Sequence, residues 1–186
     1  MKLLTVCSET PGLDRFEQST KELDKISIRL DEYPGHVKRW NYVPSNLDGQ
    51  IIFSDTDDVI YQGDVPEMTS IITSPENILH KDTIWKKWCV DEYEVLLNQP
   101  VYNVGLFSMP AKELYDYIKF SQTKERVWDQ IAFNLWLLNK KHTPRADIFL
   151  CLYNNLEFAQ KQDGIWYIGG CKASFVHANG NHKELL

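Results

Sequence analysis

Apolar residues in this chain fall into short runs separated by polar turns, and the runs change period along the sequence. Residues 3–7 read as a buried strand. Residues 14–30 begin with helical spacing and then alternate at Ile26, Ile28 and Leu30, which predicts a helix followed by a strand. Pro34-Gly35 marks a turn, residues 36–42 open a helix, and residues 44–49 form a loop. Ile51, Ile52 and Phe53 form the apolar heart of a strand over 50–54. That strand stops abruptly at Asp55-Thr56-Asp57-Asp58, and Val59, Ile60 and Tyr61 then resume the apolar pattern. A short strand is predicted at 71–73, and a longer one at 101–109 is interrupted by Asn103 and Gly105. Pro110 starts a helix over 111–120, as proline does at a first helical turn. A second, very apolar helix covers 128–138. Strands follow at 148–152, 165–168 and 174–176, the last running into His177-Ala178-Asn179-Gly180. Strands alternating with helices predict a layered α/β fold with a mostly parallel central sheet, in one domain spanning 1–186.

Composition adjusts this picture in three ways. Hydrophobic residues make up 43 % of the 186, enough to fold. The formal net charge of -6 weighs against a broad electrostatic grip on nucleic acid. The four cysteines form no CxxC pair, which excludes a zinc ribbon, and Cys7, Cys89 and Cys151 sit among apolar residues as small buried hydrophobes. The opening MKLLTVCSET turns polar too soon for a signal peptide, and no apolar run reaches membrane-spanning length. The expected setting is reducing and cytoplasmic. Trp85, Trp88, Trp128 and Trp136 read as core, whereas Trp40 and Trp166 are the candidates for exposed stacking surfaces.

The Asp55-Thr56-Asp57-Asp58 cluster carries the first chemical signal. Ligands collect at the carboxyl ends of strands in open α/β sheets, and the cluster lies at such an end. Three carboxylates within four residues repel one another unless a cation neutralises them, and hard oxygen donors suit Mg²⁺ or Mn²⁺. A solvated acidic turn is the plain alternative; an apolar strand on both sides of the cluster argues against it. The second signal is His177, leaving the last strand. Its imidazole can complete a metal site begun by carboxylates, Gly180 lets backbone approach a ligand, and Lys183 can reach a phosphate. An apolar strand followed by Asp-x-Asp also resembles the nucleophile strand of haloacid-dehalogenase-like phosphatases, with Asp55 as nucleophile. That family needs a late acidic pair, and this chain has no late Asp-Asp.

The stretch IIFSDTDDVIY, residues 51–61, resembles the metal-binding strand of GT-A glycosyltransferases. The nearest likeness is to the glycosyltransferase domains of procollagen lysyl hydroxylases and related collagen-type transferases, with glycogenin-like enzymes more distant. His177-Ala178-Asn179-Gly180 followed by Lys183 is similar to the late His-x-Asn-Gly and lysine of that group. Further pieces agree in order: Gly35 and Lys38, Ser74-Pro75-Glu76-Asn77, the strand with Asn103-Val104-Gly105, the pair Asp129-Gln130, and Tyr153-Asn154-Asn155.

The resemblance implies a GT-A (Rossmann-like) fold binding a nucleotide-sugar, with UDP the expected nucleotide. The base would lie near Thr5 and Val6. Asp55 would contact ribose and metal, and Asp57 or Asp58 together with His177 would hold Mn²⁺ (or Mg²⁺). Lys183 and Lys38 would add positive charge, with Gly180 close by. Asn103, Asp129 and Gln130 would line the sugar pocket as catalytic or positioning residues, and the anomeric configuration would be retained. Asp129 also reads as a helix N-terminal acid, and Asn103 as a bulge residue bonding its own backbone. The acceptor is left open between protein, glycan, small molecule and modified DNA, with no membrane partner. A catalytically silent nucleotide-sugar-binding module is the reading from another class.

Overall fold

The computed structural model describes residues 1–84, 86–87, 89, 93–124, 127–142, 144, 149–152, 156–179 and 182–186. The expectations for Trp85, Trp88, Tyr153-Asn154-Asn155 and Gly180, and for the side chain of Cys151, lie outside the described residues. In chain order the strands and helices are β1 (Lys2–Cys7), α1 (Leu13–Ser19), β2 (Lys25–Arg29), β3 (Gln50–Ser54), β4 (Val59–Tyr61), β5 (Ile72–Leu79), β6 (Pro100–Pro110), α2 (Ala111–Gln122), α3 (Asp129–Asn139), β7 (Phe149–Cys151), β8 (Ala159–Gln162), β9 (Ile165–Ile168), β10 (Cys171–Lys172) and β11 (Phe175–His177). The segment expected to open a helix at 36 is a 3₁₀ turn, Lys38–Tyr42.

The fold is α/β. Its central sheet has the order β2-β1-β3-β6-β5. β2, β1 and β3 are parallel; β6 runs against β3, and β5 runs against β6, so β6 alone opposes the common direction. The sheet is therefore mixed and largely parallel. Alternation along β3 sends Ile51 and Phe53 to one face and Ile52 to the other. The first face packs under α2, α3 and the 3₁₀ turn, where Trp40, Phe53, Phe107, Tyr117, Phe133 and Trp136 interlock. The second face carries Leu3, Phe16, Val59, Leu106, Phe149 and Phe175, closing against α1 and a small sheet of order β4-β11-β7. β8, β9 and β10 form a third sheet, packed through Trp166 onto Val176 and Ala178.

Three tryptophans differ from expectation. Trp40 is 1 % exposed, because its ring fills the gap between the sheet and α2. Trp166 is buried because its ring packs in a cluster with Leu152, Val176 and Ala178, residues outside its own hairpin, while the Lys161 ammonium lies over the ring at 5.2 Å. Trp128, read as core, is 42 % exposed, because it sits one residue before α3 with extended backbone and turns out of the layer. Trp136 is buried. Among the described residues no helix is long and apolar enough to cross a membrane.

The pairing of β5 with β6 breaks where the site begins. Thr73 pairs with Phe107 and Pro75 with Tyr102, so β5 advances two residues while β6 advances five. The surplus on β6 holds Asn103, Val104 and Gly105. Such a bulge strands backbone groups that must find other partners. Side chains supply them: Asn103 Oδ1 accepts from Gly105 N at 2.8 Å and Leu106 N at 3.1 Å, Gln130 Oε1 accepts from Val104 N at 3.2 Å, and Thr73 Oγ1 donates to Asn103 O at 2.6 Å.

Phe107 stacks on both Phe53 and Phe133 at centroid distances of 5.3 and 5.1 Å with no exposure. Phe107→Ala should destabilise the fold by about 3–5 kcal/mol, read as a lowered denaturant midpoint in urea unfolding.

Candidate active site

Two neighbouring clefts open at the carboxyl ends of β1 and β3, and they share His36, Asp55 and Asp58. One, of about 340 Å³, is lined by Val6, Cys7, Ser8, Thr10, Tyr33 and Lys183. The other, of about 300 Å³, is lined by Arg39, Glu76, Asn103, Gly105, Trp128 and Asp129.

Asp55 and Asp58 stand on the partition between them, and His177 meets them from the wall of the second cleft. One ligand atom from each lies within 4.8 Å of the others. Local structure explains the convergence. Asp55 leaves β3 with its N–H bonded to Gly105 O at 2.7 Å. β4 pairs with β11 so that Val59 faces His177, and Ala178 N donates to Asp58 O at 2.7 Å. A chain reversal therefore brings residues far apart in sequence to one corner. Gly105 is the floor of that corner. A Cβ there would lie 2.4 Å from Asp55 Oδ2 and 2.5 Å from His177 Cε1.

The hydrogen bonds assign the imidazole. Asn103 Oδ1 accepts from two backbone N–H groups, which identifies it as the amide oxygen, so His177 Nδ1, 2.9 Å away, must donate to it. Asn103 Nδ2 in turn donates to Glu76 Oε1 at 2.8 Å. His177 Nε2 is thus aimed at Asp58 Oδ1, 3.0 Å away. Burial pushes the His177 pKa down, but Asp58, Asp55 and Glu76 together raise it above its ordinary value. Burial alone would raise Asp58, yet His177 and Lys183 carry it below the usual carboxylate range. Asp55 is raised, chiefly by enclosure in the cleft walls and against the pull of Arg39 and His177.

The residues fit a hard divalent cation. Two carboxylates and one imidazole suit Mg²⁺ or Mn²⁺. Asn103 holds His177 through Nδ1, the kind of outer contact that fixes the tautomer in which a histidine can offer Nε2 to a metal. The 3.0 Å between Nε2 and Oδ1 matches adjacent ligands on an ion bound at about 2.1 Å.

Asp57 takes no part in this cluster. Its carboxylate accepts from Gly12 N at 3.2 Å and pairs with Lys183, while Arg15 Nη2 donates to its carbonyl at 3.1 Å. Gly12 is tied to this contact, since a Cβ there would meet Asp57 O. Lys183 lines the cleft on the β1 side. Val6 lines it too, whereas Thr5 is fully buried within β1 and lines neither cleft. Lys38 does not join the site either. It is exposed, and the 3₁₀ turn directs its neighbour inward instead.

That neighbour, Arg39, escaped the sequence reading. It is 1 % exposed and lies over Trp40 and Phe53 at 4.8 and 4.6 Å. Its Nη1 donates to Asp55 Oδ1 at 2.6 Å. Its Nη2 lies 2.7 Å from Asp129 Oδ2, an ion pair set off the N–H axis and so without a directed hydrogen bond. Burial disfavours its charge, but Asp129 and Asp55 overcome this and hold it protonated. Glu76 and His36 also escaped. Glu76 sat in a recognisable segment, and Arg39 was one position from the lysine singled out; neither carries a spacing signal of its own. Gln130 lies in the cleft wall with its amide committed to β6, bonding Tyr102 O as well as Val104 N. No protein-family model matches this sequence, and no curated protein matches it.

Two outcomes follow from this geometry. Uptake of Mn²⁺ by the wild type is expected in isothermal titration and its loss in Gly105→Ala, because the added methyl displaces Asp55 and His177, with the circular dichroism spectrum checking that the fold is kept. The His177–Asp58 pair should also give the metal-free protein a pH-dependent stability. A raised histidine pKa adds stability that is complete below the ordinary value of 6.5 and is lost as pH rises through the raised value. The depressed Asp58 adds stability above 3.8 that is lost as pH falls through its lowered value. The difference in melting temperature between wild type and His177→Ala should therefore be larger at about pH 5.5 than at about pH 8.5.

Proposed function

We propose that this chain is a metal-dependent glycosyltransferase of the GT-A type, moving a sugar from a nucleotide-sugar donor, with UDP the expected nucleotide, to an acceptor hydroxyl. The observation that carries the reading is the corner of Asp55, Asp58 and His177, whose two carboxylates line both clefts and whose imidazole lines one of them. A nucleotide-sugar has a matching layout: a base and ribose, a charged diphosphate, and a sugar. The cleft beside Val6, Cys7 and Thr10 takes the nucleoside, and the cleft beside Asn103, Gly105 and Asp129 takes the sugar. A divalent ion on the partition would supply positive charge to the departing diphosphate.

In this reading Asp58, not Asp57, is the second carboxylate of the metal set. Lys183 exchanges its Asp57 partner for a phosphate oxygen. Asn103 and Glu76 hold the His177 ring. The bond from the sugar C1 to the diphosphate oxygen breaks with its electron pair staying on oxygen. The acceptor hydroxyl oxygen bonds C1, and its proton passes to the departing diphosphate. Asp129 is pinned by Arg39 at 2.7 Å and by His36 at 3.9 Å. A carboxylate held by a buried guanidinium is a poor nucleophile, so Asp129 is assigned to orienting sugar hydroxyls. The phosphatase reading asks the aspartate two positions after Asp55 to serve the same reacting atom, and Asp57 is turned to Gly12 and Lys183.

The test is a thermal-shift titration with UDP, with and without Mn²⁺, on wild type and His177→Ala. Ligand at about a hundred times its Kd stabilises by about 2.7 kcal/mol, several degrees in melting temperature. A rise that needs Mn²⁺ and disappears in His177→Ala is expected, and slow release of UDP from a UDP-sugar separates an enzyme from a silent module. Absence of any shift with UDP, GDP or CDP would sink the donor-site reading.

A further inference from the structure

The rim of the Asp129 cleft carries more aromatic surface than its chemistry toward a donor requires. Trp128 is 42 % exposed there, although the nine residues after it, from Asp129 to Leu137, are all buried. Its ring stacks on His36 at 4.8 Å with planes 29° apart, and Tyr33 meets His36 edge-on at 5.6 Å. Ile84, 78 % exposed, lines the same cleft. An apolar lip above a polar floor marks a contact surface for a ligand with one apolar face.

We propose that the acceptor is a neutral saccharide, its ring stacked on Trp128 with a hydroxyl directed toward Asp129. This rests on the transferase reading above. A sugar ring has an apolar C–H face, which suits an indole, and a hydroxyl rim, which suits carboxylate acceptors. Of the four carboxylates that line the cleft, Asp55, Asp58, Glu76 and Asp129, the last supplies such an acceptor, since Asp55 and Asp58 belong to the metal set and Glu76 accepts from Asn103. The same four carboxylates face one arginine, so a phosphate-bearing acceptor such as nucleic acid meets repulsion. A cationic acceptor finds Asp55 and Asp129 already paired to Arg39, and Asp58 to His177. At about 300 Å³ the cleft is at the small end of ligand sites, the size for a ring or two and not for a polymer groove.

The experiment titrates neutral mono- and disaccharides (galactose, glucose, N-acetylglucosamine and lactose) into wild type, Trp128→Ala and Trp128→Phe with UDP and Mn²⁺ present. Binding is followed by saturation-transfer NMR, alongside the UDP–Mn²⁺ thermal shift of each protein. Binding of at least one saccharide is expected, weakened about tenfold in Trp128→Ala and partly restored in Trp128→Phe, with the UDP–Mn²⁺ shift kept in all three. The inference is overturned if the UDP–Mn²⁺ shift is present and no saccharide binds, or if binding ignores Trp128. It is equally overturned if only a hydroxymethylated DNA duplex or a lysine-bearing peptide is retained. Trp128-dependent saccharide binding without any UDP–Mn²⁺ shift would uphold the saccharide site and remove the donor-site reading instead.

Discussion

Four carboxylates face one small volume, and the whole site depends on how their repulsion is balanced. Arg39 is the fixed part of the answer. It lies on the aromatic core and bridges Asp55 to Asp129, so a charge belonging to the site is anchored by the packing of the domain. His177 is the adjustable part. Its Nε2 faces Asp58 either as a proton donor or as a ligand to a cation. Removing Arg39 would leave two carboxylates without their cation in a buried setting, the arrangement that costs most in a protein interior.

The β6 bulge converts this electrostatic requirement into geometry. A regular strand would have presented alternate side chains to the two faces of the sheet. The surplus residues instead bring Gly105 against Asp55 and turn Asn103 toward His177. The backbone groups freed by the bulge are bonded by Asn103, Gln130 and Thr73. Asn103 bonds its own backbone, as one reading of the sequence had it, and with the same oxygen it sets the tautomer of the histidine, a role the sequence did not suggest. Gln130 and Asn134 tie α3 to Tyr102 on β6, so the helix that carries Asp129 is registered against the bulge.

Much of the scaffold was legible in the chain. Continuous apolar runs located β1, β3 and β9, and Pro110 located the start of α2, because these patterns are set by neighbours in sequence. Asp55, Asp58 and His177 were also legible as candidates, being polar residues placed where apolar strands stop. Trp40 and Trp166 were misjudged because burial of an aromatic ring is decided by what crosses over it, and those partners lie on other elements.

The sequence by itself determined the order of most strands and of the α-helices, the acidic break after β3 and the late histidine, since each depends on local pattern; β8 and β10 carry no apolar run and were not read from it. Only the tertiary structure decided that Asp58 and not Asp57 shares a corner with His177. The β4–β11 pairing fixes the side chains of Asp58 and His177 against each other, while Gly12 and Lys183 draw Asp57 away. It alone brought Arg39, Glu76 and Trp128 to the site. Their roles arise from contacts across the sheet, and such contacts leave no spacing in the chain from which to read them.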